Sequence, residues 1–358
     1  MVKKVVVLNI CHLSYSSDES DGGISSILPT IIQEQVKSGL SVKWICSKNF
    51  PQLTRDICLY KKLNQIDFDI LHVHGLWRSP TRVINFSSIT SRNVPLIISP
   101  HGMLDEWALK KSYLKKKFAY KLWEKRALSK ASCIQALCKK EFASIKKLLP
   151  NSNIKIIPNG INSFSASNCR CPLWENEVPI NSKILLFFGR YHLKKGISEL
   201  LSAWKQSHIN AVKFNWTLVF VGYGDERYIK GRILKENIQR CKVYGPAFGK
   251  LKNIVFSNAS AFILPSFSEG LPSSVLEAMK AKLPTIISSN CNMPEVFKIK
   301  AALKGEPVVD ILKESLDSLM KMNQNELNEI AFNGFNFVSE NYNWEDITNQ
   351  LVSLYTSL

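Results

Sequence analysis

The run Ala261-Phe262-Ile263-Leu264-Pro265-Ser266-Phe267-Ser268-Glu269-Gly270-Leu271-Pro272-Ser273-Ser274-Val275-Leu276-Glu277-Ala278-Met279-Lys280 decides how this chain is read. Its first four residues are short and uniformly apolar, the pattern of a parallel strand buried on both faces. A turn with Ser and Gly follows, and Pro272 stands where a helix would begin, a position that tolerates its missing N–H. Ser273 to Met279 continue as helix. The free N–H groups at such a helix start, with the positive end of its dipole, suit a phosphate. Glu269 in the turn and Glu277 on the helix have the wrong charge to hold it. They are placed to accept hydrogen bonds from hydroxyls, as on a ribose or a hexose.

In this setting Glu269-x7-Glu277, within Pro-Ser-x-x-Glu-Gly-Leu-Pro, resembles the signature of the family 4 glycosyltransferases. Two glutamates at that spacing are common by chance; the preceding strand, Gly270, Pro272 and Ala278 make this instance more specific. The resemblance implies a retaining enzyme of the GT-B fold: α/β, two Rossmann-like doubly wound domains facing each other across a cleft. It implies donor contacts from Ser266, Glu269, Gly270, Leu271, Ser273, Ser274 and Glu277. The amides around Ser273 and Ser274 would meet phosphate, Glu277 the ribose, and Glu269 the sugar hydroxyls or phosphate.

The chain has 358 residues, room for two domains, and 45% hydrophobic residues, enough for sizeable cores. It has no stretch long enough to span a bilayer. Met1-Val2-Lys3-Lys4 carries the charge of a signal peptide, but the apolar run Val5–Ile10 is too short and reads as a first strand, so a cytoplasmic protein is expected. Nine cysteines show no zinc-type spacing, Cys169 and Cys171 being the closest pair, and read as reduced thiols, mostly core. The net charge of +18 favours an anionic partner: nucleic acid, an acidic membrane surface or a phosphorylated substrate. No zinc finger, RNP-type aromatic motif or helix-turn-helix speaks for nucleic acid.

The first half alternates strand and helix. Asp21-Gly22-Gly23 precedes a helix through Leu28, Ile31, Ile32 and Val36, and 41–46 reads as a strand. Asp67-x-Asp69 reads as a loop leading into a strand, not a metal site. His72 and His74 share one strand face, as ligands or as a packed or cleft-lining pair. Strands are expected at 95–99, 131–137 and 154–157, with a helix at 141–149. The resemblance implies that Gly22 and Gly23 lie across from the donor phosphates. Ser99-Pro100-His101-Gly102-Met103-Leu104-Asp105 resembles a pattern of bacterial polysaccharide-assembly members, which places His101 beside the sugar's reactive carbon. A buried histidine bonded to backbone is the alternative.

From Trp107 to Lys130 the chain is strongly basic. On a helical wheel Leu109, Tyr113, Tyr120, Trp123 and Ala127 form one apolar stripe; Leu114, Phe118 and Leu122 form a second, with lysines between. The second stripe, with Lys110, Lys111, Lys115, Lys117, Phe118 and Lys121, suits an anionic membrane face or is buried by a neighbouring element.

The second half opens with 184–190 as a strand and Lys194-Lys195-Gly196 in a loop. The resemblance assigns Gly189, Arg190 and Lys195 to the donor, the two cations gripping the diphosphate; Lys194 could take the second role. A fixed cation pair stabilises the leaving phosphate more as the bond breaks. Further strands are expected at 216–225, 241–246 and 283–288, and helices around 310–322, 325–340 and 344–357. Lys282 stands where glycine is common in the family, and Asn290-Cys291-Asn292-Met293-Pro294 replaces a glycine-rich turn.

The expected domains are 1–165 on the acceptor side, a linker at 166–182, a nucleotide-sugar domain at 183–340, and a helix at 341–358 crossing back to the first. The resemblance implies a glycosyltransferase without cofactor or essential metal. It would move a sugar from a nucleotide diphosphate sugar to a glycan or lipid-linked glycan in cell-surface polysaccharide synthesis (lipopolysaccharide, O-antigen, capsule or exopolysaccharide), at the inner face of the plasma membrane. His101, Arg190, Lys195 and Glu269 are the catalytic candidates. No second carboxylate stands at a nucleophile position, so the departing phosphate would take the acceptor proton on the same face. The alternatives are an epimerase or phosphorylase of the same fold, or a non-catalytic basic protein binding membrane or nucleic acid.

Overall fold

The computed structural model describes residues 7–18, 21–86, 93–105, 107, 109, 113–171 and 173–358. The chain divides into two compact units: Met1–Gly160 with Trp344–Leu358, and Ile161–Asn343.

The first unit holds a six-stranded parallel sheet, ordered β2-β1-β3-β4-β5-β6. Its strands are β1 (Asn9–Ser14), β2 (Ser41–Cys46), β3 (Ile70–His74), β4 (Leu96–Ser99), β5 (Cys133–Ala136) and β6 (Ile154–Ile156). The first strand departs from the expected 5–10, part of which lies outside the described residues. It starts at Asn9, whose backbone N–H donates to the Asp69 carboxylate at 2.7 Å while the Asp69 N–H returns to the Asn9 carbonyl at 2.8 Å. It then runs through Cys11, His12, Leu13 and Ser14, all buried.

One face of this sheet packs Ile10, Ile70, Ile97 and Cys133 against Leu28 and Ile31 of the Gly23–Lys37 helix and Ile347, Leu351 and Leu354 of the Trp344–Thr356 helix. Side chains alternate along a strand, so His12, His72, His74, Ser99 and Gln135 stand on that same face toward the strands' carboxyl ends. The other face buries Cys11, Leu13, Leu71 and Val73 against Leu59 and Leu63.

The second unit repeats the plan, ordered β12-β11-β10-β7-β8-β9. Its strands are β7 (Lys183–Tyr191), β8 (Trp216–Gly224), β9 (Cys241–Tyr244), β10 (Ala261–Leu264), β11 (Thr285–Ile287) and β12 (Leu303–Lys304). Long apolar runs such as Ile184–Phe187 and Leu218–Val221 are wholly buried, as a sheet covered on both faces requires. The stretch read as a linker, 166–182, belongs to this unit. Cys171 and Trp174 enter its core, because two apolar side chains gain more from burial than a free segment gains from freedom. The division falls at Gly160, and the Ile161 N–H donates to the Tyr342 carbonyl at 2.7 Å.

All nine cysteines are unbridged, and all but Cys58 and Cys169 are buried. Among the described residues no helix is long and apolar enough to cross a membrane.

Candidate active site

In the second unit the chain runs from β7 outward to β8 and β9, then returns to the other side of β7 for β10, β11 and β12. The carboxyl ends of β7 and β10 therefore flank a topological switch point, where open α/β sheets take their ligands. Arg190, next to last in β7, is exposed, and among the described residues no acid pairs with it. The His192 ring then caps a short turn by accepting from the Lys194 N–H at 3.1 Å. Gly196 closes that turn at φ 67, and a Cβ there would stand 2.0 Å from the Pro265 carbonyl oxygen. Only glycine fits both the left-handed backbone and that approach. The contact presses the β7 turn onto the loop after β10, where the Phe267 N–H donates to the Lys194 carbonyl at 2.8 Å.

This packing brings Lys195, Ser266 and Glu269 together. Lys195 Nζ lies 2.7 Å from Glu269 Oε1, which also accepts from Ser266 Oγ at 2.5 Å. The Ser266 carbonyl in turn accepts from Ser288 Oγ at 2.6 Å. Burial pushes the Glu269 carboxyl up, but the charges of Lys195 and Lys194 and the bonds from Lys195 and Ser266 outweigh it and hold the group below its ordinary value. Asn292 braces the loop by donating to the carbonyls of Glu269 and Gly270. It does so at φ 60, and Lys282 sits at φ 58. Two non-glycine residues thus take left-handed backbone, which asparagine tolerates best.

The Ser273–Lys280 helix starts at Pro272 with no side-chain cap; the Pro272 carbonyl takes the N–H of Val275 and Leu276. The N–H groups of Ser273 and Ser274 precede these bonds and are free of that cap. Glu277 stands apart from the Lys195 cluster: Lys252, on the Gly249–Ser257 helix, pairs with it at 2.9 Å. Sequence reading missed Lys252 because nothing local marks a partner 25 residues upstream.

Gly22, Gly23 and His101 belong to the first unit. Among the described residues no heavy atom beyond the chain neighbours lies within 4 Å of where a Cβ on Gly22, Gly23 or Gly189 would stand, so all three present open backbone. His101 takes φ 53, which in a non-glycine residue costs about 1–3 kcal/mol and marks a constrained position. The turn is pinned by Glu141, whose two carboxylate oxygens accept from the Gly102 N–H at 2.5 Å and the Leu137 N–H at 2.7 Å. Burial pushes this carboxyl up.

His101 Nε2 meets His74 Nδ1 at 3.0 Å, and His74 Nε2 meets His12 Nδ1 at 2.8 Å. Burial lowers His12 and His101 to about 4 and His72 and His74 well below the ordinary value, so all four rings are neutral near neutral pH. His12, His72 and His74 are close enough to hold a metal ion. All six of their ring nitrogens, however, are engaged in hydrogen bonds to His74, Gln35, Tyr355, Ser99, His12 and His101.

A further cationic pocket of about 180 Å³ is lined by Tyr15, Arg55, Arg78, Ser79 and Arg82. The Arg78 guanidinium sits 3.8 Å over the Tyr15 ring, and Arg82 is held by Asp56 at 2.7 Å. No sequence pattern groups these residues.

The basic segment forms the Tyr113–Ala119 helix, a turn of π-helix at Tyr120–Glu124 and the Lys125–Ser129 helix. Leu114, Phe118 and Leu122 are 77%, 65% and 56% exposed, beside exposed Lys115, Lys117 and Lys121. Lys110 and Lys111 lie outside the described residues. Tyr113, expected on the packed stripe, is also exposed, whereas Ala119, Ala127 and Leu128 are buried. The buried Glu124 accepts from Thr81 Oγ1 at 2.6 Å, Trp123 Nε1 at 2.9 Å and the Trp77 N–H, and burial pushes its carboxyl up.

Comparison with known proteins agrees with this architecture. Residues 173–354 match the glycosyl transferases group 1 model and residues 22–163 the Glycosyltransferase Family 4 model. The chain belongs to the glycosyl transferases group 1 / family 4 proteins and has the GT-B fold. An uncharacterized glycosyltransferase of Methanocaldococcus jannaschii is 27% identical over 58% of this chain, an alignment that spans only 54% of that relative's own length. The UDP-Gal:alpha-D-GlcNAc-diphosphoundecaprenol alpha-1,3-galactosyltransferase of Escherichia coli is 27% identical over 79% of this chain and 75% of its own. Among solved structures, Anabaena HepE in complex with UDP-glucose superposes with a TM-score of 0.76 at 16% identity, covering 98% of this chain and 100% of that one.

Proposed function

We propose that this protein is a retaining glycosyltransferase that moves a sugar from a nucleotide diphosphate sugar to a lipid-linked glycan during cell-surface polysaccharide synthesis. One observation carries the reading: Lys195, Glu269 and Ser266 converge at the β7/β10 switch point, beyond the end of the strand that carries Arg190 and ahead of an uncapped helix start. In this reading Arg190, Lys195 and the amides of Ser273 and Ser274 take the diphosphate. They neutralise the charge that develops as the sugar–phosphate bond breaks. Glu269, held ionised, accepts from sugar hydroxyls or positions Lys195. Glu277 accepts from the ribose once Lys252 turns aside or shares it. His101 lies beside the reactive carbon, and Gly22 and Gly23 leave room for the phosphates. The departing phosphate takes the acceptor proton, and no metal is required.

A diphosphate-bearing acceptor is supported by the Arg55 and Arg78 pocket, where two guanidiniums face Tyr15 and, among the described residues, neither forms an ion pair with an acid. Peripheral attachment to an anionic membrane is supported by the exposed Leu114, Phe118 and Leu122 among exposed lysines, each lysine worth about 1 kcal/mol near such a surface. The test is calorimetric titration with UDP, GDP and ADP, followed by incubation of radiolabelled nucleotide sugars with membrane lipid extract. One diphosphate should bind and its sugar should appear on lipid with the anomeric configuration kept. Absence of binding by all three would overturn the proposal, and label recovered only as free sugar, sugar phosphate or epimer would replace it with a same-fold hydrolase, phosphorylase or epimerase.

A further inference from the structure

The polar half of the first unit's helix-covered sheet face forms one continuous line of hydrogen bonds, and its direction can be worked out from one end. The Ile157 carbonyl can only accept, and Gln135 Nε2 donates to it at 2.8 Å. Gln135 therefore turns Oε1 toward Ser99, whose hydroxyl donates to it at 2.7 Å. Ser99 Oγ has spent its proton, so at 2.7 Å it accepts from His72 Nε2–H. A neutral imidazole carries one N–H, which leaves His72 Nδ1 to accept from the Tyr355 hydroxyl at 2.9 Å. Tyr355 in turn accepts from Gln35 Nε2 at 2.9 Å, so Gln35 Oε1 accepts from His12 Nε2–H at 2.7 Å. His12 Nδ1 then takes His74 Nε2–H, and His74 Nδ1 takes His101 Nε2–H. Every link has a single consistent sense. The line ends at His101 Nδ1, for which no partner occurs among the described residues.

We infer that this line fixes His101 as the Nε2–H tautomer, so that its Nδ1 meets substrate as a hydrogen-bond acceptor, and that Tyr355 and Gln35 are positioning residues acting through His12 and His74. The part played at substrate rests on the glycosyltransferase reading; the order of the hydrogen bonds does not. Nδ1 would take the proton of a donor or acceptor hydroxyl into a hydrogen bond and would not offer one. Only His101 can accept a full proton without reversing a link, because its Nε2–H is kept when Nδ1 is protonated. Tyr355 matters because its hydroxyl is where the two halves of the line join. Without it Gln35 Nε2 has no acceptor, and the amide is free to turn over and donate to His12 Nε2. His12, His74 and His101 would then each shift their proton to Nδ1, and His101 would present a donor.

The test is long-range proton–nitrogen correlation spectroscopy of the full chain labelled with ¹⁵N-histidine, in which only six histidines need assignment by single substitution. His12, His72, His74 and His101 should all show protonated Nε2 and bare Nδ1 at neutral pH. Tyr355→Phe, which keeps the buried ring, should add Nδ1–H signals for His12, His74 and His101. It should also lower kcat about tenfold, the worth of one hydrogen bond, with donor affinity unchanged. His101 as the Nδ1–H tautomer in the unaltered chain would overturn the inference. So would a Tyr355→Phe protein whose tautomers shift while kcat stays put, which would make the line purely structural. If Tyr355→Phe fails to fold, Gln35→Met takes its place with the same two readouts. Expected tautomers in a chain that transfers no sugar would overturn the functional reading and the substrate role with it, and leave the hydrogen-bond order standing.

Discussion

The Lys195–Glu269 pair allows structural and functional roles to be separated. The side chains are only 18% and 10% exposed, so both charges are largely out of water. Lys195→Met leaves Glu269 buried with Lys194 and Ser266 as its remaining support, and stranding one member of a buried pair costs about 3–5 kcal/mol. Glu269→Gln is milder, about 1–2 kcal/mol, because the amide oxygen still accepts from Ser266 while Lys195 can swing its ammonium toward solvent. The double variant strands no charge and should return to within about 1–2 kcal/mol of the unaltered chain, giving a large favourable coupling in the cycle. Stability is read by denaturant unfolding and donor use by nucleoside diphosphate titration and turnover. If Lys195 grips diphosphate, the double variant regains stability but loses roughly a hundredfold in turnover, the scale of one lost transition-state donor. A double variant both stable and fully active would remove Lys195 from the donor site and leave it a structural counter-ion. The pH response carries the same sign: Glu269 is depressed in the folded chain, so its contribution is present above the unfolded carboxylate pKa and lost as pH falls through the folded one.

Gly196→Ala should cost about 2 kcal/mol or more and weaken diphosphate binding, because a Cβ meets the Pro265 carbonyl and φ 67 disfavours it; thermal unfolding and the same titration check both. Acid should loosen the first unit. His12 falls from 6.5 to about 4 on folding, so its contribution, on the order of 3 kcal/mol, is complete above pH 6.5 and lost as pH falls toward 4. Unfolding curves at pH 7 and 4.5 should differ less for His12→Gln than for the unaltered chain, and equal differences would contradict the assignment. Replacing Leu114, Phe118 and Leu122 together by Ser should leave stability within about 0.5 kcal/mol, since all three are exposed, yet reduce co-sedimentation with vesicles rich in anionic lipid. Unchanged sedimentation would exclude that face from membrane contact.

Parallel strands were legible where they are uniformly apolar. β10 runs Ala261–Leu264, the span its composition suggests. The apolar run points to an earlier start for β1 because the strand's buried second half contains His12 and Ser14, and hydrophobicity alone stops at polar residues. The Lys195, Ser266 and Glu269 neighbourhood was expected from motif resemblance, yet the ion pair inside it spans 74 positions and no local pattern encodes it. Nothing in the sequence around Glu124 or Glu141 sets either apart from any other helix acid. Each is instead a buried acceptor that organises a turn, a role visible only when its backbone donors are in place. Tyr355 lies 283 positions from His72, and nothing near either residue announces the other.

The row of neutral histidines is poorly explained by stability. A fully hydrogen-bonded buried polar network roughly breaks even against well-packed apolar side chains of the same volume, and its neutral rings add an acid liability that leucine or phenylalanine would not. Packing needs no direction either, since the Ile10, Ile70, Ile97 and Cys133 half of the same face seals the same two helices without any. What the polar half adds is sense: each donor is committed by the one before it, from a backbone carbonyl to a ring in a strained left-handed turn. A structure that only had to close would gain nothing by fixing the proton on His101. One that had to meet a hydroxyl with a lone pair would need that proton held elsewhere, and the Trp344–Thr356 helix, through Tyr355, is the element that holds it.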